Sequence, residues 1–268
     1  MLRFVLRRSA SLDARFELTR EGTLAILHLE RPSALNAFSV PMCRVIKTTA
    51  NQVSDKDSRV RALIITGGER AFSAGKDLKA SLEHTEEEAS EYYEETLGAI
   101  KTLLDVPIPV IAGIEKICLG LGLELALTAD IRIAGVSSRI GFPEINLSIF
   151  PGCGGAVMLP LILGNTSIAS DLIMTGRQIS AQEAKDIGLV PRVVPDGTAL
   201  KECLAVAEPL LQKDRDVLVK TKEVLRYSVN RELRDGKWMN LSEQYRTQLG
   251  KSKAHMEALQ NFASRKRS

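Results

Sequence analysis

Apolar positions along this chain switch repeatedly between two spacings. Residues 23–29 (Thr-Leu-Ala-Ile-Leu-His-Leu) form a short apolar run that Arg31-Pro32-Ser33 closes, the pattern of a strand followed by a turn. Residues 37–53 space their apolar positions helically, and residues 60–66 return to a strand that Gly67-Gly68 ends. Residues 82–104 are charged on one face and carry Tyr93, Leu97, Ile100 and Leu104 at helical intervals. Residues 107–114 and 131–136 read as buried strands, with a short helix at 121–129 between them. Strand-then-helix units in this order predict an α/β fold with mostly parallel pairing.

Past Pro151 the texture changes. Residues 154–163 are apolar and long enough for a core helix. Ser180 with Glu183 has the spacing of a capping box and predicts a helix over 181–187. From residue 199 the pattern is helical almost to the end. The expected organisation is an α/β core over residues 13–195 and a helical region over 196–268, the latter reaching toward a neighbouring subunit.

Two glutamates interrupt apolar stretches. Glu124 lies within Leu119-Gly120-Leu121-Gly122-Leu123-Glu124-Leu125-Ala126-Leu127, and Glu144 within Ile140-Gly141-Phe142-Pro143-Glu144-Ile145-Asn146-Leu147. Burying a polar group without a partner costs about 2–7 kcal/mol, and a charge costs more. Either carboxylate could cap a helix or bind one arginine. Together they suggest a pair in an apolar pocket, where pKa values move apart and leave one acid and one base at neutral pH.

Charge narrows the function classes. The net charge of +3 comes entirely from Arg3, Arg7 and Arg8, so the remainder is balanced at 33 basic and 33 acidic residues. A neutral body carries no electrostatic footprint for nucleic acid, and RNA or DNA binding is not expected. Residues 1–12 combine arginine, serine and apolar residues without an acid, the composition of a mitochondrial presequence and hence of a matrix location. No run approaches the ~18 apolar residues that a membrane helix needs. Cys43, Cys118, Cys153 and Cys203 are spaced as neither a disulfide framework nor a metal site. His28, His84 and His255 are scattered, which disfavours a Ser-His-Asp or Cys-His hydrolase.

Five segments in order resemble the crotonase superfamily. They are Arg31-Pro32-Ser33-Ala34-Leu35-Asn36-Ala37, Phe72-Ser73-Ala74-Gly75-Lys76-Asp77-Leu78, the Gly120-to-Ala126 run, Phe142-Pro143-Glu144 with Pro151-Gly152-Cys153-Gly154-Gly155, and Thr175-Gly176-Arg177 through Gly188-Leu189-Val190. The resemblance implies a ClpP/crotonase spiral core of repeated strand-strand-helix units, with a helical C-terminal region that builds a homotrimer or a hexamer of two trimers. Within the superfamily the chain is most similar to enoyl-CoA hydratases, hydro-lyases of fatty acid β-oxidation. Carried over by position, Glu124 holds and deprotonates water and Glu144 supplies a proton. The backbone N–H groups of Lys76 and Leu121 form the oxyanion hole, and Gly152 shapes the segment that orients the second glutamate. Coenzyme A, brought by the substrate, would run along Ala34, Leu35, Ala74, Lys76, Asp77 and Leu78. No further cofactor and no metal are expected. Alternatives are an enoyl-CoA isomerase, a 3-methylglutaconyl-CoA hydratase, or a non-catalytic acyl-CoA or RNA-binding member. Retention of both glutamates favours hydration.

The chain also departs from that pattern. Leu121 stands within the usual glycine triplet and brings a bulky side chain toward the acyl pocket. Glu115-Lys116 replaces an acidic-Gly pair, and Ala156-Val157-Met158 replaces Thr-Gln-Arg. Lys76 stands where alanine is common; its side chain is expected to face solvent, the alternative being the coenzyme A phosphates.

Overall fold

The computed structural model describes residues 13–227 and 237–265. Residues 1–12, where the presequence is expected, lie outside these. Six strands form one sheet in the order β1 (Ala14–Thr19), β2 (Leu24–Leu29), β3 (Ala62–Thr66), β4 (Val110–Ile114), β6 (Ile131–Gly135) and β9 (Arg192–Val194). All pairs are parallel except β1 with β2, an antiparallel pair with Ala14 opposite Leu29. The short segments β5 (Ile117–Leu119), β7 (Arg139–Gly141) and β8 (Gln178–Ser180) form a second sheet. Sequence reading missed this sheet, since three-residue strands are too short to display a period. It also missed β1, whose part-exposed alternation marks an edge strand.

The large sheet is covered on both faces, which explains its continuous apolar strands. Ala25, Leu27, Leu63 and Ile65 face the main core, with α1 (Val40–Ser54) and α3 (Glu86–Leu104) contributing Ile46, Ala50, Ile100 and Leu103. Leu24, Ile26, Ala62, Ile64 and Ile111 face the other way, against Cys203, Val206 and Ala207 of α8 (Ala199–Leu211). Between β5 and β6 runs α4 (Leu121–Leu127), all seven residues of which are buried. A short α2 (Leu78–Ser81) precedes α3. After β7 come a 3-10 turn (Pro143–Leu147), α5 (Gly155–Leu163), α6 (Thr166–Thr175) and α7 (Ala181–Asp186).

Capping chemistry corrects one helix boundary and one expected cap. The helix expected from residue 82 begins at Glu86, because Thr85 and Glu88 form the full reciprocal box there. At Ser180 only half a box exists. Its hydroxyl accepts from the Glu183 N–H at 3.1 Å, but the Glu183 carboxylate instead pairs with Arg177 Nη1 at 2.6 Å.

The C-terminal helices are tied to the core by buried charge. On α9 (Arg215–Leu225), Lys222 Nζ lies 2.8 Å from Asp130 Oδ2 and also donates to the Ile108 carbonyl; Arg226 just beyond it meets Asp130 Oδ1 at 3.0 Å. Then follow α10 (Lys237–Gly250) and α11 (Lys253–Arg265). α11 returns over the Pro143–Leu147 turn, where His255 Nδ1 bonds the Leu147 carbonyl at 2.6 Å.

Between β2 and α1 the chain makes a tight loop with Leu35 and Asn36 both left-handed, at φ +51° and +54°. Asn36, 1 % exposed, holds this conformation. Its Nδ2 donates to the carbonyls of Gly67 and Ala71 at 2.8 Å and of Phe72 at 3.2 Å, and its Oδ1 accepts from the Arg31 N–H at 2.8 Å. Removing this amide strands several buried backbone groups. Asn36→Ala is therefore expected to lower the unfolding free energy by about 2–4 kcal/mol, read from urea titration. A loss below about 0.5 kcal/mol would show that the loop does not depend on it.

Candidate active site

The strand-like segment around Ser73–Lys76 is threaded between the Leu35 loop and β5. Ala74 N–H donates to the Leu35 carbonyl at 2.9 Å and Phe38 N–H to the Gly75 carbonyl at 2.8 Å; on the other side Ser73 N–H donates to Ile117 O and Leu119 N–H to Ser73 O, both at 3.0 Å. Gly75 sits at φ +89°, and a Cβ there would lie 2.6 Å from the Leu119 carbonyl and 3.1 Å from the Leu121 nitrogen. Only glycine fits this approach. It sets the amide of Lys76 beside that of Leu121, the first residue of α4, whose N–H has no acceptor within the helix.

Both glutamates lie just past these amides. Glu124, 2 % exposed, is gripped through Oε1 by the N–H groups of Cys153 and Gly155, each at 2.8 Å. A Cβ at Gly155 would come within 2.9 Å of Glu124 Cγ and within 2.7 Å of the Phe142 ring. Glu144 lies in the Pro143–Leu147 turn. Its Oε1 would sit 2.8 Å from a Cβ at Gly120, and its Oε2 is buried without a partner among the described residues. Burial pushes Glu124 up to about 7, against the pull of its two N–H donors. Burial, then the Glu124 charge, pushes Glu144 up to about 8. Near neutral pH the pair therefore holds one proton, with Glu144 the more protonated member.

Gly152 lies one residue before an amide that grips Glu124, and its carbonyl accepts a 3.5 Å bond from the Tyr93 hydroxyl. The segment that follows Gly152 thus braces the first glutamate. Leu121 does bring a bulky side chain here, but it packs into the main core. Lys116 takes the left-handed conformation, φ +55°, in the turn where glycine is usual, and its ammonium reaches Asp196 and Ser137 at 2.6 Å. The Cys153 thiol is pushed well up by burial and by Glu124, so it stays protonated and is not a nucleophile.

Ala34, Leu35, Ala74, Lys76, Asp77 and Leu78 line one cleft of about 430 Å³. Arg31, Lys79 and Phe262 of α11 join them. Arg31 Nη1 pairs with Asp77 Oδ2 at 2.7 Å and locks the two sides of the cleft together. The Lys76 side chain corrects the expectation of a solvent-facing lysine. It is half-buried, and its ammonium lies within the electrostatic reach of Cys153, of Arg246 on α10 and of His255 on α11. Sequence reading missed Tyr93, Arg246 and His255. Tyr93 was legible only as a helix core position, and the other two sit on helices some 150 residues farther along the chain. Among the described residues no three His, Cys, Asp or Glu side chains gather as a metal site, and no helix is long and apolar enough to cross a membrane.

Fold and site together are those of a crotonase-type protein. The sequence profile of the enoyl-CoA hydratase/isomerase family matches residues 19–268, and the chain belongs to that family. It is 36 % identical over 249 residues to an enoyl-CoA isomerase/hydratase of Mycosarcoma maydis, covering 90 % of each chain. It is 35 % identical over 217 residues to a probable mitochondrial enoyl-CoA hydratase of Dictyostelium discoideum, covering 81 % of this chain and 77 % of that one. The crystal structure of an enoyl-CoA hydratase from Bacillus anthracis superposes with a TM-score of 0.77 at 32 % identity, over 94 % of this chain and 96 % of that one.

The raised carboxyl values have a consequence for stability. Both glutamates bind their protons more tightly when folded than at the ordinary value of 4.5, so their contribution is fully present below that pH. It is lost as pH rises through about 7 and 8. Melting temperature is expected to fall between about pH 5 and 8 and then level off, with a shallower fall in Glu144→Gln. Identical slopes for the two proteins would refute the assignment of a buried, proton-binding Glu144.

Proposed function

We propose that this protein is an enoyl-CoA hydratase that adds water across the 2,3 double bond of an enoyl-CoA thioester to give a 3-hydroxyacyl-CoA. The observation that carries this reading is the pair of buried Glu124 and half-buried Glu144, with one proton between them near neutral pH, beside the amides of Lys76 and Leu121. The thioester oxygen accepts from those two N–H groups, which hold the negative charge that develops as the α carbon becomes nucleophilic. Ionised Glu124, fixed in orientation by Cys153 and Gly155, takes a proton from water as the hydroxyl joins the β carbon. Protonated Glu144 gives its proton to the α carbon. One proton is taken and one given, so the charge on the pair is unchanged. Coenzyme A lies along Ala34, Leu35, Ala74, Lys76, Asp77 and Leu78, and the chemistry calls on no metal and no further cofactor.

The wider setting follows from the same reading. Residues 1–12 direct the protein to the mitochondrial matrix, in keeping with the named location of the Dictyostelium relative. Exposed Val224, Leu225 and Tyr227 at the end of α9 supply an apolar surface for a homotrimer or hexamer. A balanced body charge gives no reason for RNA binding.

Purified protein is expected to remove the conjugated absorbance of crotonyl-CoA with formation of 3-hydroxybutyryl-CoA. Glu144→Gln should lose at least about 10²-fold in kcat while retaining acyl-CoA binding. The pH dependence of kcat/KM should be bell-shaped, with limbs near about 7 and 8, set by the raised pKa values of the pair. Migration of the double bond without water addition would replace hydration with isomerisation, and unchanged turnover in Glu144→Gln would reject the assignment of the acid.

A further inference from the structure

The two glutamates are held by different means. Glu124 is gripped through Oε1 by two backbone N–H groups of another segment. The Glu144 carboxyl has no comparable hold. Its Oε2 is without a partner among the described residues, and its backbone help comes from its own amide. Where this carboxyl stands is therefore decided by the backbone of the Pro143–Leu147 turn. The last carbonyls of such a helical turn have no partner inside it. Ser148, at φ +56°, closes the turn by donating its N–H to the Ile145 carbonyl at 3.0 Å. On one flank Asn146 Nδ2 reaches the Gly176 carbonyl at a long 3.4 Å. On the other, His255 Nδ1 meets the Leu147 carbonyl at 2.6 Å.

His255 is itself firmly placed. It is 3 % exposed and lies in the first turn of α11, where the Ser252 hydroxyl accepts from its N–H at 3.2 Å. A carbonyl only accepts, so Nδ1 carries the hydrogen. Burial lowers the pKa of the imidazole, and the Lys76 cation lowers it further against the pull of the Leu147 carbonyl. Titration would not release the bond, because the imidazolium also carries a hydrogen on Nδ1. Exclusion of water strengthens the contact. Leu259, also 3 % exposed, and Phe262 follow His255 at the spacing of one helix face. Phe262 lines the coenzyme A cleft, so one face of α11 runs from the turn that carries Glu144 to that cleft.

We propose that His255 is the positioning residue for Glu144: by holding the Leu147 carbonyl it fixes the turn in the placement that keeps the Glu144 carboxyl against Gly120 and out of water. The role of Glu144 as the acid rests on the hydratase reading, whereas the placement of its carboxyl does not.

Two substitutions separate the hydrogen bond from the packing. His255→Leu keeps the volume and loses the donor; His255→Asn keeps an N–H donor at the same branch of the side chain and loses volume. The kcat for crotonyl-CoA is expected to fall at least tenfold in His255→Leu, with KM within threefold, and to stay within threefold of the unaltered protein in His255→Asn. A second readout needs no turnover. Melting temperature is followed from pH 5 to 8 for each protein with and without Glu144→Gln, so that any titration of His255 cancels within a pair. The flattening caused by Glu144→Gln should survive in His255→Asn and shrink by at least half in His255→Leu, as the freed carboxyl returns toward its ordinary pKa. Survival of the full effect in His255→Leu would overturn the inference, whatever happens to kcat. So would the reverse order, with His255→Asn impaired and His255→Leu intact, which marks a packing role. Should circular dichroism show that His255→Leu does not fold, Ser252→Ala loosens the same turn of α11 and should move both readouts in the same direction; no change in either overturns the inference. Absence of crotonyl-CoA hydration by the unaltered protein would reject the hydratase alone, and the melting comparison would still decide whether His255 places Glu144.

Discussion

Two carboxylates, Glu124 and Glu144, are drawn out of water within electrostatic reach of one another, and the architecture around them is arranged to make that tolerable. Glu124 is held by two amides at the start of α5, which distribute its charge into backbone dipoles. Glu144 receives no such help at Oε2 and is instead kept protonated by its surroundings. The two solutions are complementary. Stabilising one carboxylate in its charged form makes the neutral form of its neighbour the favourable one. The helix α4 is buried along its whole length, and the Gly155 contact is too close for any side chain, so Glu124 is held in one position by its surroundings.

That cavity is closed by segments distant in sequence. The Leu35 loop, the Ser73–Lys76 segment and β5 lie side by side through backbone hydrogen bonds, so the coenzyme A cleft and the pair of free amides are continuous with one another. Asn36 and Gly75 are the conformational conditions for this layering. The first binds three carbonyls in a left-handed loop, and the second allows two backbones to approach where a Cβ would collide. Behind the site, α11 covers the turn that carries Glu144. The C-terminal helices thus form one wall of the pocket as well as an outer surface of the protein.

Lys76 joins the two halves of the pocket. Its side chain is half-buried within the electrostatic reach of Arg246 and His255, and the same residue lines the cleft. A residue placed in this way can tune substrate choice without altering the oxyanion donors, because the backbone N–H is independent of the side chain attached to it.

The amino-acid sequence by itself determined the α/β order, the two-faced apolar strands and the long helices, because each leaves a period in the chain many residues long. It also marked Glu124 and Glu144, since a carboxylate inside an apolar run is conspicuous without any structure. The small β5-β7-β8 sheet was not legible, because three-residue pairings have no period and owe their existence to their neighbours, and the edge strand β1 was missed because its outer positions are part-exposed rather than apolar. The Ser180 box failed for a related reason, as Arg177 competes for the Glu183 side chain. Only the tertiary structure decided that Lys76 is half-buried and that Arg246 stacks on Tyr93. Those relations depend on helices folding back across some 150 residues, and local spacing carries no record of which distant side chains will share a low-dielectric pocket.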